Sequence, residues 1–428
     1  MSGALAMGAW RGGWADGLRY GGLGLPLAFV ALPLYVILPN HYATEFGIPL
    51  AALGALLLGA RLFDAVTDPW IGVWADRWFA RSVRSVGLAA VGAALVLAIG
   101  FRGLFFPPVQ GTEALLWWCG GLLAVTYLSF SVLSVLHQSW GARLGGSEAQ
   151  RAHIVSWREG LALVGVLVAS VLPSVAGLGV STAVFAVTLA AGVALLMQAP
   201  RPRAEGATAA PGLGALPRPL ATPAFRRLLT VYLANGIASA VPATLVLFFI
   251  RDRLQAPAFE PLFLASYFAA GALSMPLWVR LVGRVGLARA WLAGMALAIA
   301  SFVWAALLGA GDVVGFTVVC LASGIALGAD LALPSALLAG VIQRAGHGGR
   351  LEGAYFGWWN FATKLNLALA AGIALPTLAW FGYTPGSTDA GALRALTGAY
   401  CLLPSALKLL AAALLWWRWI AHPEETNR

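Results

Sequence analysis

The sequence predicts an all-α integral membrane protein with about twelve transmembrane helices in two six-helix halves. Three observations lead to this prediction. Of the 428 residues, 60% are hydrophobic and only 10% are charged, whereas soluble proteins carry about 25% charged residues. Apolar segments of roughly 20 residues, long enough to cross a bilayer as a helix, recur along the entire chain. The longest polar break falls near the middle of the chain.

The predicted spans follow one another at short intervals. They lie near residues 20–40, 50–76, 86–106, 114–138, 154–175, 179–198, 227–250, 260–282, 288–308, 314–338, 354–378 and 396–420. The break between the sixth and seventh spans is rich in proline, glycine and alanine, which is typical of a linker. We therefore divide the chain into an N-terminal six-helix bundle (1–199), a linker (200–224) and a C-terminal six-helix bundle (225–428).

The formal net charge of +10 reflects membrane topology. Basic residues cluster in the loops on one side of the membrane, those that follow the even-numbered spans, so no nucleic-acid partner is expected. The positive-inside rule places the linker and both termini in the cytoplasm, and the expected location is a cell membrane, the inner membrane of a bacterium. The loops on the basic side include Arg77, Arg81, Arg84, Arg143, Arg151, Arg201, Arg203, Arg218, Arg280, Arg284, Arg344 and Arg350.

Charged residues stand inside the second span, within GARLFDAVTDPWIGVWADR (59–77). A charged side chain at the bilayer centre costs about 2.5–3.5 kcal/mol on insertion scales, so such residues are paired, face a cavity or bind a ligand. Asp64, Thr67 and Asp68 lie at i, i+3 and i+4, so their oxygens share one helix face. This face predicts a cation or proton site. In the alternative, Arg61 pairs with Asp64 and only holds the helix in place.

Four more polar residues near the predicted spans are candidates for substrate binding. They are Arg158, Asp330, Asn360 and Lys364. Asp330 either faces a cavity or pairs with Lys364, and Lys364 either binds an anionic substrate group or forms a salt bridge. Arg158 lies at the cytoplasmic entry of the fifth span, where a gating role and a snorkelling side chain are both expected. Asn360 has a packing hydrogen bond as its alternative role.

Residues at the cytoplasmic mouth of the second span predict a gate. Asp76 and Arg77 stand where the helix leaves the bilayer, and we expect them to form a charge network with Arg81 or Arg84. Arg61, further inside the same span, is assigned to the gating group as well.

Three segments resemble those of a transporter family. The stretch from Arg61 to Arg77 resembles the helix-two signature of the glycoside–pentoside–hexuronide:cation symporters. QRAHIVSWREG (150–160) resembles the helix-five entry of that family, and GGRLEGAYFGWWNFATKLNLALAAGI (348–373) resembles its helix-eleven segment. Together with two six-helix halves and a central linker, the resemblance implies the major facilitator superfamily fold.

The resemblance implies a cation-coupled secondary transporter of a small, glycoside-like solute, with a lipid bilayer as its surroundings. Asp64, Thr67 and Asp68 occupy cation-site positions of the family. Ser134 falls where the family has an acid on helix four, and Ser131 adds a hydroxyl on the same helix. The first span has no carboxylate at all, although the family grips sugar hydroxyls with one there. A non-sugar organic anion or an amphiphile therefore stays open as the substrate.

The coupling ion is expected to be a proton. Two carboxylates one turn apart share a proton readily because their like charges disfavour double ionisation. Sodium seeks a shell of several oxygens, as other hard cations do, and the second span with its two carboxylates and one hydroxyl offers few.

Two other classes of function compete with transport. Against an integral membrane enzyme acting on a lipid, the sequence has no HExxH, GxSxG or P-loop motif. The other class is a transport-inactive sensor or assembly protein on the same fold. No cofactor or metal is expected because the three cysteines lie in apolar runs without metal-ligand spacing. The sequence leaves the oligomeric state open.

Overall fold

The computed structural model describes residues 10–202 and 211–421, so the middle of the predicted linker, 203–210, lies outside the described residues. The fold is all-helical across these ranges. The helices are α1 (Trp14–Thr44), α2 (Leu50–Arg81), α3 (Val83–Phe105), α4 (Thr112–Arg143), α5 (Glu148–Met197), α6 (Pro223–Arg253), α7 (Pro257–Val285), α8 (Leu287–Ala305), α9 (Val313–Arg344), α10 (Glu352–Trp380) and α11 (Ala390–Ala421). A 3₁₀ turn at Leu213–Ala215 and a short helix at Arg218–Ala221 precede α6.

Ten of these helices in the described part of the chain are long and apolar enough to cross a membrane, and the remaining one is the charged helix α2. Helix α5 has 50 residues, which is about 75 Å at 1.5 Å per residue and more than twice the thickness of a hydrocarbon core of about 30 Å. Its course breaks at Gly177, whose φ of 78° is left-handed and favours glycine. If the two parts of α5 are counted as separate membrane passes, the described part of the chain has twelve long helices. The break at Gly177 lies between the fifth and sixth predicted spans.

The chain packs as two compact units. The first comprises Met1–Pro219 and Ile342–Phe361, and the second comprises Leu220–Val341 and Ala362–Arg428. The end of α9 and the start of α10 therefore belong to the first unit, although they lie in the C-terminal half of the sequence. The bundles 1–199 and 225–428 and the linker 200–224 remain a division of the sequence.

The core of the first unit forms where α1 packs on both passes of α5. Phe29 of α1 stacks on Phe185 of α5, with ring centroids 5.8 Å apart. A Cβ on Gly24 would lie 2.5 Å from the main-chain oxygen of Arg158, so α1 and the first pass of α5 touch backbone to backbone. Close approach of this kind is typical of small residues between membrane helices.

The core of the second unit is built around aromatic rings. Phe249 and Tyr400 stack with ring centroids 4.3 Å apart, and Phe302 meets Tyr400 edge-on at 5.7 Å. Both stacked rings lie in π-helical turns, Phe249–Arg253 at the end of α6 and Gly398–Leu402 within α11. Such turns change the direction of the following side chains within a helix.

Candidate functional site

The two carboxylates predicted on one face of α2 are buried in the first unit. Asp64 is 2% exposed and Asp68 is fully buried. The hydroxyl of Ser131, on α4, donates a hydrogen bond of 2.9 Å to Oδ1 of Asp64. The structure thus brings together Asp64 and Ser131 of the predicted cation site, with Asp68 one turn further along the same helix.

The other two predicted hydroxyls do not reach these carboxylates through any hydrogen bond in the described residues. Thr67 donates its hydroxyl proton to the main-chain oxygen of Asp64, 3.0 Å away, which is a local bond within the helix. Ser134 is half-buried on α4, one turn beyond Ser131. Of the three predicted hydroxyls, that of Ser131 is therefore the one that donates to the Asp64 carboxylate.

Arg61 has a partner other than Asp64. Its guanidinium lies over the ring of Tyr35 on α1, 4.1 Å from the ring centroid. A cation–π contact of this kind is favourable and needs no counter-charge. The alternative in which Arg61 pairs with Asp64 at i, i+3 is not the arrangement found.

Helices α2 and α10 approach one another closely in the first unit. A Cβ on Gly353 would lie 2.2 Å from the main-chain oxygen of Gly72, and one on Gly357 would lie 2.5 Å from that of Asp68. Asn360 follows Gly353 and Gly357 on the same face of α10, at the i+7 and i+3 positions, and is buried. Asn360 therefore lies on the face of α10 that packs against α2.

Asp76 caps the N-terminus of α10. Its Oδ1 accepts a hydrogen bond of 2.7 Å from the main-chain N–H of Gly353, and its Oδ2 accepts one of 2.8 Å from that of Ala354. These N–H groups belong to the first turn of the helix, where they have no partner within the helix itself and where the macrodipole attracts negative charge. Oδ1 also pairs with Nη2 of Arg143 at 2.8 Å.

Arg143, at the end of α4, is the centre of this network. Its Nη2 lies 3.0 Å from Oε2 of Glu352, and its Nη1 donates to the main-chain oxygen of Gly349 at 2.5 Å. The guanidinium also covers the ring of Phe79, 4.3 Å from the centroid. We call Asp76, Arg143 and Glu352, with the first turn of α10, the α10 latch.

The partners predicted for Asp76 and Arg77 were wrong. Arg81 and Arg84 are exposed, whereas Arg143 completes the buried network with Asp76. Arg77 instead donates through Nε to the main-chain oxygen of Pro211, 2.9 Å away, in the part of the linker that the structure describes. Sequence proximity favours partners within the same helix or the loop that follows it. The carboxylate of Asp76 is buried, however, and it pairs with an arginine that is buried as well.

Arg158 is neutralised by its neighbour in the chain. Its Nε and Nη2 donate to Oε1 of Glu159 at 2.9 and 2.6 Å. The arginine side chain is buried against α1. This geometry places Arg158 in the contact between α1 and α5 of the first unit.

Asp330 forms a buried polar cluster with Lys408 in the second unit. Nζ of Lys408, on α11, donates to Oδ2 of Asp330 at 2.5 Å, to Oδ1 of Asn235 at 2.9 Å and to the hydroxyl of Ser239 at 3.0 Å. The carboxylate of Asp330 also accepts from Asn235 at 3.1 Å, from Ser239 at 3.1 Å and from the indole N–H of Trp291 at 3.0 Å. Four helices, α6, α8, α9 and α11, contribute to this cluster.

The cluster corrects the expected pairing of Asp330. Its cationic partner is Lys408 rather than Lys364, which is half-buried on α10. Sequence reasoning missed Lys408, although a single lysine inside the apolar run SALKLLAAALL (405–415) of the last predicted span was the signal that could have found it.

A cavity of about 150 Å³ borders the cluster. It lies wholly within the second unit, between α6, α7, α8, α9 and α11. Ser239, Asp330 and Lys408 form its polar end, and aromatic side chains including Tyr267, Phe302 and Tyr400 form much of the rest.

The part of the chain that the structure describes contains no group of three or more His, Cys, Asp or Glu side chains arranged to hold a metal ion. Cys119, Cys320 and Cys401 are free and buried in these ranges.

Comparison with known families covers almost the whole chain. Residues 19–420 match the family described as MFS/sugar transport protein. The chain belongs to this family. It is therefore an integral membrane protein with the major facilitator superfamily fold, and its relatives are transporters rather than enzymes. The predicted resemblance to sugar symporters and the predicted fold class are confirmed.

One relative of known class is the inner membrane symporter YicJ of Escherichia coli (strain K12). It is 27% identical over 135 residues, which are 31% of this chain and 28% of YicJ, so the match spans less than a third of that symporter.

Solved structures share the fold. FucP in the outward conformation is 13% identical with a TM-score of 0.69, over 95% of this chain and 99% of that one. A bacterial homologue of the iron transporter ferroportin is 18% identical with a TM-score of 0.65, over 93% of this chain and 99% of that one. The human organic anion transporter MFSD10 is 18% identical with a TM-score of 0.61, over 94% and 98%.

Proposed function

We propose that this protein is a proton-coupled secondary transporter of a small, glycoside-like organic solute in a bacterial inner membrane, with its termini and linker in the cytoplasm. One observation carries the proposal. Asp64 and Asp68 are buried on one face of a membrane helix, and the hydroxyl of Ser131 holds the first of them. Carboxylates at membrane depth are costly and typical of ion or proton pathways.

The behaviour of the predicted hydroxyls favours a proton over sodium. A sodium ion seeks several oxygens at once, and among the predicted hydroxyls only that of Ser131 donates to a carboxylate in the described residues. A proton needs only one carboxylate oxygen. Two acids one turn apart on α2 accommodate a proton between them because their like charges disfavour double ionisation.

The relatives support the proposed substrate class. The family description names sugar transport, YicJ is a symporter, and FucP, which shares the fold, is a fucose:proton symporter. Asn360 and Lys364 of α10 are proposed as substrate contacts. Glu159 neutralises the charge of Arg158, and Lys408 neutralises that of Asp330. We therefore propose that Arg158 and Asp330 shape the protein around the substrate without adding net charge.

The α10 latch is proposed as the gate. It ties α2 and α4 to the first turn of α10 through the Asp76 and Arg143 side chains. Any movement that separates α10 from α2 and α4 has to break the two hydrogen bonds from main-chain N–H groups to Asp76 and the ion pair between Arg143 and Glu352 together. Arg77, bound to Pro211 of the linker, and Arg61, stacked on Tyr35, are assigned to the same gating group.

Proteoliposomes containing the purified protein test the proposal. A panel of radiolabelled monosaccharides and glycosides is offered under an imposed proton gradient, and then under an imposed sodium gradient at equal pH on both sides. We expect accumulation of a glycoside-like solute that follows the proton gradient and persists when choline replaces sodium. Accumulation driven by sodium alone would contradict proton coupling, and transport confined to non-sugar anions would contradict the substrate class.

A further inference from the structure

The cavity inside the second unit is a candidate binding site separate from the α2 carboxylates. All of its lining residues belong to α6, α7, α8, α9 and α11 of that unit. Its volume of about 150 Å³ equals that of an engineered apolar cavity which binds benzene. The space therefore fits one six-membered aromatic ring with a small substituent.

The ion pair at the polar end of the cavity does not call for a charged ligand. Lys408 has three N–H donors, and all three are used, by Asp330, Asn235 and Ser239. The Asp330 carboxylate accepts hydrogen bonds from four side chains. The pair is neutral as a whole and saturated, so neither an anion nor a cation would gain a free counter-charge there.

Two tyrosine hydroxyl groups at the cavity can form hydrogen bonds with a ligand. Tyr267 and Tyr400 line the cavity, and neither hydroxyl forms a hydrogen bond with another described residue. Tyr400 is only 4% exposed. Each phenol O–H can donate a hydrogen bond, so a ligand oxygen in the cavity has two donors from which it can accept.

The walls match an aromatic ring. Phe302 meets Tyr400 edge-on, with centroids 5.7 Å apart, and Phe268 of α7 also lines the cavity and contacts Tyr267 edge-on. Offset and edge-to-face contacts with such rings favour an aromatic guest beyond its buried area. A sugar would leave most of its hydroxyls without partners against these side chains.

From these observations we infer that the second unit holds a binding site for a neutral, single-ring aromatic compound with one hydroxyl or carbonyl oxygen. The ring lies among the aromatic side chains, and the oxygen accepts hydrogen bonds from Tyr267 and Tyr400. This site does not depend on the proposed coupling ion.

Binding is measured on the full-length protein in lipid nanodiscs by equilibrium dialysis of radiolabelled 4-fluorobenzyl alcohol, with protein-free nanodiscs as the blank for partition into lipid. 4-Fluorotoluene has the same ring without the oxygen, and 4-fluorobenzoate carries a charge. We expect saturable binding of the alcohol, with the toluene and the benzoate each weaker by about tenfold or more.

Three variants locate the site. Tyr267→Phe and Tyr400→Phe keep the rings and remove the hydroxyls, so each should weaken alcohol binding by roughly 3–10-fold and leave toluene binding unchanged. Ala243→Phe adds bulk from an exposed position on the cavity wall and should abolish binding of both probes. Tyr42→Phe, a buried tyrosine of the first unit, is the matched control and should bind as the unmodified protein does.

Several results would overturn the inference. They are uptake of the alcohol equal to that of empty nanodiscs, preference for the benzoate, or unchanged affinity in both Tyr400→Phe and Ala243→Phe. The melting temperature of each variant is recorded alongside, and Ala243→Phe decides the outcome where a tyrosine variant does not fold.

Discussion

The carboxylate of Asp76 accepts a hydrogen bond from the main-chain N–H of Gly353 at 2.7 Å, although 277 residues separate the two in sequence. The contact seats a negative charge at the N-terminus of α10, where unpaired N–H groups and the helix dipole favour it. Since Gly353 has no side chain, α2 can approach α10 closely enough for the bond to form: a Cβ there would lie 2.2 Å from the main-chain oxygen of Gly72.

The first prediction concerns the stability of the α10 latch. Asp76→Asn keeps the size of the side chain but removes the charge that Arg143 faces in a buried setting. Breaking one side of a buried ion pair costs about 3–5 kcal/mol because the remaining charge stays desolvated. We expect the melting temperature of the purified protein in detergent to fall by several degrees.

Arg77→Gln is the matched control for this measurement. Arg77 is the next residue on α2, it is half-buried, and its Nε bonds a main-chain carbonyl of the linker. Loss of one such bond should cost about 1.5 kcal/mol or less. Equal shifts in melting temperature for Asp76→Asn and Arg77→Gln would show that the latch adds nothing special to stability.

The second prediction concerns coupling. Asp64→Asn and Asp68→Asn remove the two buried carboxylates from the same face of α2, so each should abolish uphill accumulation driven by a proton gradient. Downhill flux and exchange should continue because the helix stays in place. Ser131→Ala removes the hydrogen bond that this hydroxyl donates to Asp64, worth about 0.5–1.5 kcal/mol, and should reduce accumulation without abolishing it. Both measurements use the same proteoliposomes, and uphill transport at unmodified levels in both asparagine variants would contradict the proposed site.

Local sequence patterns predicted the helices and the shared face of α2, because apolar length and the 3.6-residue period are properties of consecutive residues. The same patterns placed the break in α5 near Gly177. They could not predict the partner of Asp330, because Lys408 lies 78 residues away and four helices have to pack before the two charges meet. The same reason applies to Asp76, whose partner Arg143 is 67 residues away.

The third prediction concerns pH. His347 lies in the loop between α9 and α10, with Nδ1 2.8 Å from the hydroxyl oxygen of Tyr355. Partial burial lowers the pKa of His347, and the nearby charges of Arg218 and Arg350 lower it further. A folded-state pKa below the unfolded value means that the neutral ring favours folding. This contribution is complete above the unfolded pKa of about 6.5 and is lost as the pH falls through that value towards the folded pKa.

The melting temperature should therefore fall between about pH 7.5 and about pH 5.5, and His347→Gln should remove part of that fall. Glutamine keeps a hydrogen-bonding side chain but does not titrate. An identical pH profile for His347→Gln and the unmodified protein would exclude His347 as a contributor.

The last prediction concerns the buried pair of the second unit. Lys408→Met leaves Asp330 as an uncompensated carboxylate among Asn235, Ser239 and Trp291, and Asp330→Asn leaves the ammonium of Lys408 without its counter-charge. Each single change should destabilise the protein by about 3–5 kcal/mol, because a lone buried charge keeps its full desolvation cost.

The double variant Asp330→Asn with Lys408→Met removes both charges and should lose clearly less than the sum of the single losses, with a coupling energy of about 1–3 kcal/mol. The free energies come from reversible denaturation in mixed micelles. Lys408→Met combined with Tyr42→Phe, a buried residue of the first unit, is the control pair and should be additive within about 0.5 kcal/mol. Additivity in the Asp330 and Lys408 cycle as well would mean that the 2.5 Å contact between Nζ and Oδ2 does not stabilise the fold, and that the cluster persists for a reason other than stability.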